Sequence, residues 1–434
     1  MNKILIFLIF LFLINNCSFN ENSKFWTTYK DLPEEDIKVF KEILIKEGAL
    51  EKEFNANVPI NLKNSFNNNF KNRDYFNNDG RLNFEGELKK SSRYKFSKIK
   101  NFYQFEPKIS FDNKAIIFFD NKGSILKFDE QSKLIWKKNY YSKSERKLKP
   151  ILQFANDQNK LIVADNIAKY FALDLKSGKL LWSKTNLAPF NSQIKIYKDK
   201  FFIVDFSNTL RCFSIKNGEE LWNIKTENSL IRSQKKLSMV IVDKFLYFKN
   251  SIGDISSVDI DEGELLWQLP TQSSLIYEAA FSLETSDIIT DGKTLFFSNN
   301  KNQFFAIDLR TGSFNWQNNV NSNLRPSLVG NYIFTISLEG YLVVIEKKSG
   351  NIIRVTDVFK NFKKKLREKI KPVGFVIGSS NIYLTTDHGR LLVIDIKSGK
   401  TISTLKVEND KISRPFVINK SLYLVKDNAI IKLN

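Results

Sequence analysis

The stretch FALDLKSGKLLW, residues 171–182, reads as a strand, a tight turn and a second strand ending in tryptophan, and the chain repeats it. Relatives are SILKFDEQSKLIW (124–136), LRCFSIKNGEELW (210–222), ISSVDIDEGELLW (255–267) and FFAIDLRTGSFNW (304–316). Two further copies, LVVIEKKSGNIIR (342–354) and LLVIDIKSGKTIS (391–403), keep the turn but carry Arg354 and Ser403 in place of tryptophan. Trp136, Trp182, Trp222, Trp267 and Trp316 therefore return at intervals of 46, 40, 45 and 49 residues. A period of this length marks an array in which each unit buries its apolar face against the next.

Each copy has the same physical grammar. Alternating apolar residues form the first strand, and Gly178, Gly218, Gly263, Gly312, Gly350 or Gly399 supplies the positive φ of a tight turn. Asp174, Asp259, Asp308 and Asp395 can accept hydrogen bonds from turn amides. The tryptophan is large enough to fill the gap between neighbouring sheets. Upstream of the copies, Pro107, Pro150, Pro326, Pro372 and Pro415 mark strand starts, where a missing amide is tolerated. Apolar strands near Gln193, Leu237 and Asp287 supply three more starts, so eight units of four strands are expected. After Pro415 only three strands fit before Asn434, and RYKFSKIKNF, from Arg93, is the candidate for the fourth. The pattern predicts an all-β, eight-bladed propeller of four-stranded antiparallel blades over residues 93–434. Pairing of N- and C-terminal segments closes it and leaves few open sheet edges.

Ahead of the repeats, Lys3 and the apolar run Ile4–Ile14 are too short to span a bilayer but suit a signal peptide. Cys17 follows directly, so residues 1–16 resemble a bacterial lipoprotein signal, which implies acylation of Cys17 and anchorage at the periplasmic face of the outer membrane. Residues 17–92 read as a linker carrying a helix at about 33–47. Asp31 caps that helix, and Ile37, Phe40, Ile43 and Leu44 form its apolar stripe. An Asn- and Phe-biased irregular stretch follows. Cys212 is then the one remaining cysteine, so no intramolecular disulfide forms, and it reads as a small buried hydrophobe. The 67 Lys+Arg against 47 Asp+Glu give a formal charge of +20, spread along the chain, which reads as solvated surface rather than a nucleic-acid site.

Catalytic chemistry has little support. His388 is the single histidine and sits at a turn position, no paired Cys or His ligands occur, and nucleotide-loop and nucleophile-elbow motifs are absent. The repeat resembles that of pyrroloquinoline quinone-dependent dehydrogenases, approximately A-x-D-x-x-T-G-x-x-x-W, best at Ala306, Asp308, Thr311, Gly312 and Trp316. In that family these residues hold blades together, so Asp174, Gly178, Trp182, Trp222, Gly263, Trp267, Asp308, Gly312 and Trp316 are read as structural. Lipoprotein-like cysteine, eight units and chain-end closure together resemble the BamB family, cofactor-free propellers of the outer-membrane β-barrel assembly machinery. That resemblance implies a non-enzymatic scaffold with no cofactor or metal. Its partners would be the POTRA domains of a BamA-like outer-membrane assembly protein, other assembly-machinery subunits and unfolded outer-membrane protein clients.

In the BamB family a Leu-x-Leu-Arg sequence between two blades and acids in the next interblade loop make the contact. Ile231 and Arg232 match the second leucine and the arginine, Ser229 replaces the first leucine with Leu230 beside it, and Glu284 stands where the acids lie. Two alternatives remain open at this level, a quinone-dependent dehydrogenase and a propeller binding cell-wall glycans. The segment 357–371, with Phe359, Phe362, Leu366 and Ile370 among six lysines and Arg367, is either a basic amphipathic helix for an anionic membrane or a lysine-rich cap on the propeller.

Overall fold

The computed structural model describes residues 52–157, 159–227, 233, 235–271 and 283–434. Among them the strands form eight four-stranded antiparallel sheets. Blades 1 to 7 span residues 110–138, 152–185, 195–225, 239–269, 289–318, 327–357 and 372–406, each built from consecutive strands. Blade 8 takes three strands from 416–433 and its outermost from Lys90–Lys95, which pairs antiparallel with Ala429–Leu433. The closing strand thus begins three residues before Arg93 and stops at Lys95. Beyond it the chain turns away, and Phe96, Ile99 and Phe102 are buried in the apolar core that blade 1 shares with blade 8.

The first strands of successive blades lie side by side and line a central channel. Middle strands such as Lys200–Val204 and Thr294–Asn299 are apolar and buried, whereas outermost strands such as Leu180–Thr185 alternate between half-buried and exposed. Where the last two strands of a blade pair, the register slips by one residue, between Ala172 and Leu173 in blade 2 and at the matching place in blades 1 and 3 to 7. The extra residue of this bulge is Leu181. It faces outward, and its neighbour Trp182 turns into the seam between blades.

The seam is built alike around most of the ring. In blade 2 the turn amides of Gly178 and Ser177 bond to the Asp174 carbonyl and carboxylate, and Gly178 has φ +71°. Trp136 of blade 1 lies flat against that glycine, and the same pairing joins Trp182 to Gly218, Trp222 to Gly263, Trp267 to Gly312 and Trp316 to Gly350. The indole N–H groups of Trp182, Trp222, Trp267 and Trp316 donate to the carbonyls of Ile215, Ile260, Leu309 and Lys347 on the next blade, at 3.0–3.2 Å. Trp136 Nε1 has no such partner, because Lys127 Nζ bonds the equivalent Leu175 carbonyl at 2.9 Å.

The two copies without tryptophan are completed by other parts of the chain. Arg354 is fully buried against Gly399, and its guanidinium donates to the Ile396 carbonyl at 3.0 Å, the position an indole N–H takes elsewhere. The same guanidinium bonds the carbonyls of Lys397 and Val58, so it ties blade 7 to the segment ahead of the propeller. Phe54 of that segment bridges to Val355, and Ile60 enters the core of blades 6 and 7. Beside Ser403, the seam of blades 7 and 8 is filled by Leu82 and Phe84, whose ring lies 5.0 Å from Tyr383. At the closure Tyr94 acts as the tryptophan does, donating to the Glu130 carbonyl of blade 1 at 3.1 Å. We expect Arg354→Leu, which removes the donor for three carbonyls, to lower stability by about 3 kcal/mol, and Arg354→Trp, which restores one N–H and the ring, by less than half of that. Chemical denaturation midpoints check the ranking.

Cys212 is buried in blade 3, and burial pushes its thiol up to about 12. No helix among the described residues is long and apolar enough to cross a membrane.

Candidate partner-binding face and the plugged channel

Interblade loops enter each blade at the start of its first strand, so they gather at one end of the channel. Leu230, Ile231 and Arg232 lie outside the described residues, as do Cys17 and the segment 33–47, but the frame around the loop after blade 3 is described. Ser233, the residue after Arg232, donates its amide to the Ser251 carbonyl at 3.0 Å and its buried hydroxyl to the Leu283 carbonyl at 2.6 Å. Glu284 follows at once. Its amide bonds Asn300 Oδ1 at 3.0 Å, and its carboxylate accepts from the Asn323 side chain in the loop after blade 5. Lys235 Nζ reaches the Asn323 carbonyl. Three successive interblade loops are thereby stitched together, with the flank of Arg232 beside Glu284 on one face.

At the same end the channel mouth is lined by charged side chains, among them Glu106, Lys235, Asp287, Arg325 and Arg414. Burial alone would raise the Asp287 carboxyl, but Arg325, bonded to it through Nε at 2.7 Å and through Nη2, and nearby Lys236 outweigh this and hold it far below the ordinary carboxylate range. Burial pushes the Lys249 ammonium down to about 7 and Lys236 down to about 8.

From the opposite end the chain itself enters the channel and reaches the starts of the first strands. A short helix, Phe70–Phe76, is capped by Asn69 and ends at Asn77, whose φ of 52° turns the backbone into the channel. Asn77 Nδ2 lies within 2.9–3.2 Å of the Gln193 and Ser238 side chains and the Met239 and Ile288 carbonyls, while Asn77 Oδ1 accepts from Lys195 at 2.8 Å. Lys195 Nζ also donates to the Asp74 carbonyl, and Lys108 pairs with the Asp74 carboxylate at 3.1 Å. Asn78 Oδ1 accepts from the Leu328 amide, and Asp79 bonds Arg414. Residues 74–79 therefore touch blades 3, 4, 5 and 6 and the loops into blades 1 and 8. Tyr75 packs on Tyr197 and Phe76 lies near Gly292, both at the ends of first strands away from the interblade loops. Nothing in the Asn-rich sequence marked this plug, because its partners are up to several blades distant.

The basic segment is settled in part by packing. Phe359 and Ile370 are buried in the core of blades 6 and 7, Phe362 and Leu366 pack against it, and only Lys364–Arg367 is helical. The apolar stripe thus serves the propeller, as a lysine-rich cap. His388 pairs with Asp387 at 2.7 Å in a turn, and no group of three or more His, Cys, Asp and Glu among the described residues is arranged to hold a metal ion.

Comparison with known proteins agrees with this architecture. A family model described as outer membrane protein assembly factor BamB matches residues 121–356. The outer membrane protein assembly factor BamB of Shewanella oneidensis is 24% identical over 306 residues, covering 64% of this chain and 70% of the relative. The crystal structure of BamB from Moraxella catarrhalis superposes with a TM-score of 0.64 at 16% identity, over 80% of this chain and 99% of that one. A europium-containing methanol dehydrogenase reaches a TM-score of 0.63 at 12% identity, over 83% and 90%. The two superpositions are equivalent and speak to the propeller fold alone, whereas the family match runs across the repeats of more than half the chain. On that ground the chain belongs to the family of outer membrane protein assembly factor BamB.

Proposed function

We propose that the protein is a non-enzymatic scaffold of outer-membrane protein assembly, held at the periplasmic face of the outer membrane by an acylated Cys17. The interblade-loop face carrying Leu230, Ile231, Arg232 and Glu284 docks a BamA-like assembly protein, and the assembled machinery then receives unfolded outer-membrane protein clients. The observation that carries this reading is the stitching of three loops through Ser233, Leu283, Glu284, Asn323 and Lys235. It gives the loop flanks a rigid base, and a preorganised surface loses less freedom when a partner binds. An arginine beside apolar residues is a frequent interface anchor.

Arg232→Glu should weaken co-purification with the barrel assembly protein by about 30-fold or more, in the range of a reversed interface hot spot, with an unchanged melting temperature. Retained binding in that variant would remove the face from consideration. The quinoprotein alternative that the repeat resemblance leaves open is tested by an absorbance spectrum and metal analysis of protein purified from its source membrane: a quinone band with bound metal would displace the scaffold role.

A further inference from the structure

The lysine-rich cap between blades 6 and 7 presents charge that the fold does not use. Residues 363–371 hold five lysines and Arg367 against one acid, Glu368. The neighbouring acids are already engaged. Arg367 Nη2 bonds the Asp357 carboxylate, Lys360 holds Glu53 at 3.1 Å, and Asp387 accepts from the Lys371 amide and pairs with His388. Lys363, Lys364, Lys365 and Lys369 are exposed, and none of their ammonium groups has an ion-pair or hydrogen-bond partner among the described residues. Their base is fixed. Phe359 and Ile370 are buried beneath them, and the Lys363 carbonyl accepts from the amides of Leu366 and Arg367. Like charges held this close repel one another, so the propeller alone gains nothing from them.

Two observations point to what this surface meets. The first is the path of the chain. Glu53 pairs with Lys360 of the cap and accepts from the Asp357 amide at 3.2 Å, Phe54 bridges to Val355, and the Ile60 amide reaches the Lys397 carbonyl in the turn at the far end of blade 7. The described chain thus joins the propeller at the interblade-loop end, beside the cap, and runs down the edge of blade 6. On the reading of Cys17 as acylated, on which this inference rests, the cap is where the chain coming from the anchor meets the described fold. The second is the direction of the apolar side chains. Phe359, Phe362, Leu366 and Ile370 all turn to the core, so the outer side offers charge without an apolar centre. A protein interface carries such a centre inside its polar rim, whereas a layer of lipid phosphates attracts lysines with no apolar contact at all. We infer that the cap binds an anionic phospholipid surface through its headgroup phosphates, without insertion. It would act as the second signal beside an acyl anchor and hold the interblade-loop end toward the membrane.

The test sediments the processed chain, carrying Cys17→Ser so that no acyl group masks the cap, with vesicles of phosphatidylcholine with and without phosphatidylglycerol. Binding should require phosphatidylglycerol and weaken as salt is raised. Each exposed lysine removed should cost about fivefold, so Lys363→Gln, Lys364→Gln and Lys365→Gln combined should weaken binding by about a hundredfold with an unchanged melting temperature. The same three positions changed to Arg should keep native binding. Lys176→Gln, Lys179→Gln and Lys216→Gln combined, which remove three exposed lysines from the opposite end of the propeller, should change it by less than about fivefold. The inference is overturned if the cap variant binds like the native chain, if the opposite-end variant loses as much, or if the cap variant keeps its vesicle binding but no longer co-purifies with the barrel assembly protein, which would assign the cap to an acidic protein surface. The mass of Cys17 in protein from its source membrane is a separate readout: an unmodified cysteine removes the anchor reading, and lysine-dependent vesicle binding still decides the cap.

Discussion

Gly218→Ala should destabilise the protein by about 3 kcal/mol, and most of that loss should vanish once Trp182 is also removed. Gly218 has φ +71°, where an L side chain is penalised by about 1–2 kcal/mol. A Cβ there would lie 2.6 Å from the Trp182 ring, a contact that forces overpacking, which typically costs about 1–3 kcal/mol. The ring cannot retreat. It is stacked on Phe201 at 6.1 Å and 14°, crossed by Tyr170, and tied by Nε1 to the Ile215 carbonyl, while the Tyr170 hydroxyl donates to the Gly218 carbonyl itself. Trp182→Ala alone should therefore cost about 3–5 kcal/mol through the cavity it leaves. In its background Gly218→Ala should retain only the backbone penalty, about 1 kcal/mol, because the clash has gone. Gly330→Ala is the matched control. Its φ is +60° but nothing lies within 4 Å of its Cβ, so it should also lose only about 1 kcal/mol. Equilibrium denaturation of the four variants measures all terms, and equal effects at Gly218 and Gly330 would refute the seam argument.

The same seam shows how much the sequence could reveal. Tryptophan, glycine and aspartate recur at fixed offsets within one copy, and their partners lie in the adjacent copy, so a linear pattern was enough to predict eight blades and closure by chain ends. Arg354 and Ser403 break the pattern, and their compensation comes from Phe54, Ile60, Leu82 and Phe84, some three hundred residues away and outside any repeat. An irregular Asn- and Phe-rich segment therefore looked like a linker although its described part is packed into the propeller. The channel charges were hidden for a related reason. Lys235, Lys249, Arg325, Lys411 and Arg414 are unremarkable singly in a lysine-rich chain, and only ring closure brings them to one mouth. The expectation at Ile231 and Arg232 rests on family resemblance alone, since a short loop sequence has no periodicity of its own.

Replacing Asn77 should expose how strongly the plug holds the ring. Asn77→Gly removes the side chain while relieving the left-handed backbone at φ 52°, so the measured effect is that of the lost hydrogen bonds. The two N–H groups of Asn77 Nδ2, shared among acceptors on Gln193, Ser238, Met239 and Ile288, are lost, and Lys195 loses the acceptor at 2.8 Å. Lys195 is completely buried, and burial already pushes its ammonium down to about 7 although Asp74 pulls the other way. Lys195 keeps Asp74, so the loss is of a neutral hydrogen-bond partner, which typically costs about 1–3 kcal/mol, and we expect Asn77→Gly to fall in that range. The companion variant separates charge from packing. Lys195→Met in the Asn77→Gly background removes the group that needs the acceptor, so the double variant should recover about 1–3 kcal/mol relative to the sum of the single changes. Local release of the plug has its own signature, early proteolytic cleavage within residues 52–89 while the blades stay protected, because a segment held by few contacts opens below the global unfolding energy. A denaturation midpoint unchanged in Asn77→Gly, together with unaltered cleavage of that segment, would mean that the channel closes the ring without its plug and that blade-to-blade seams alone carry the stability.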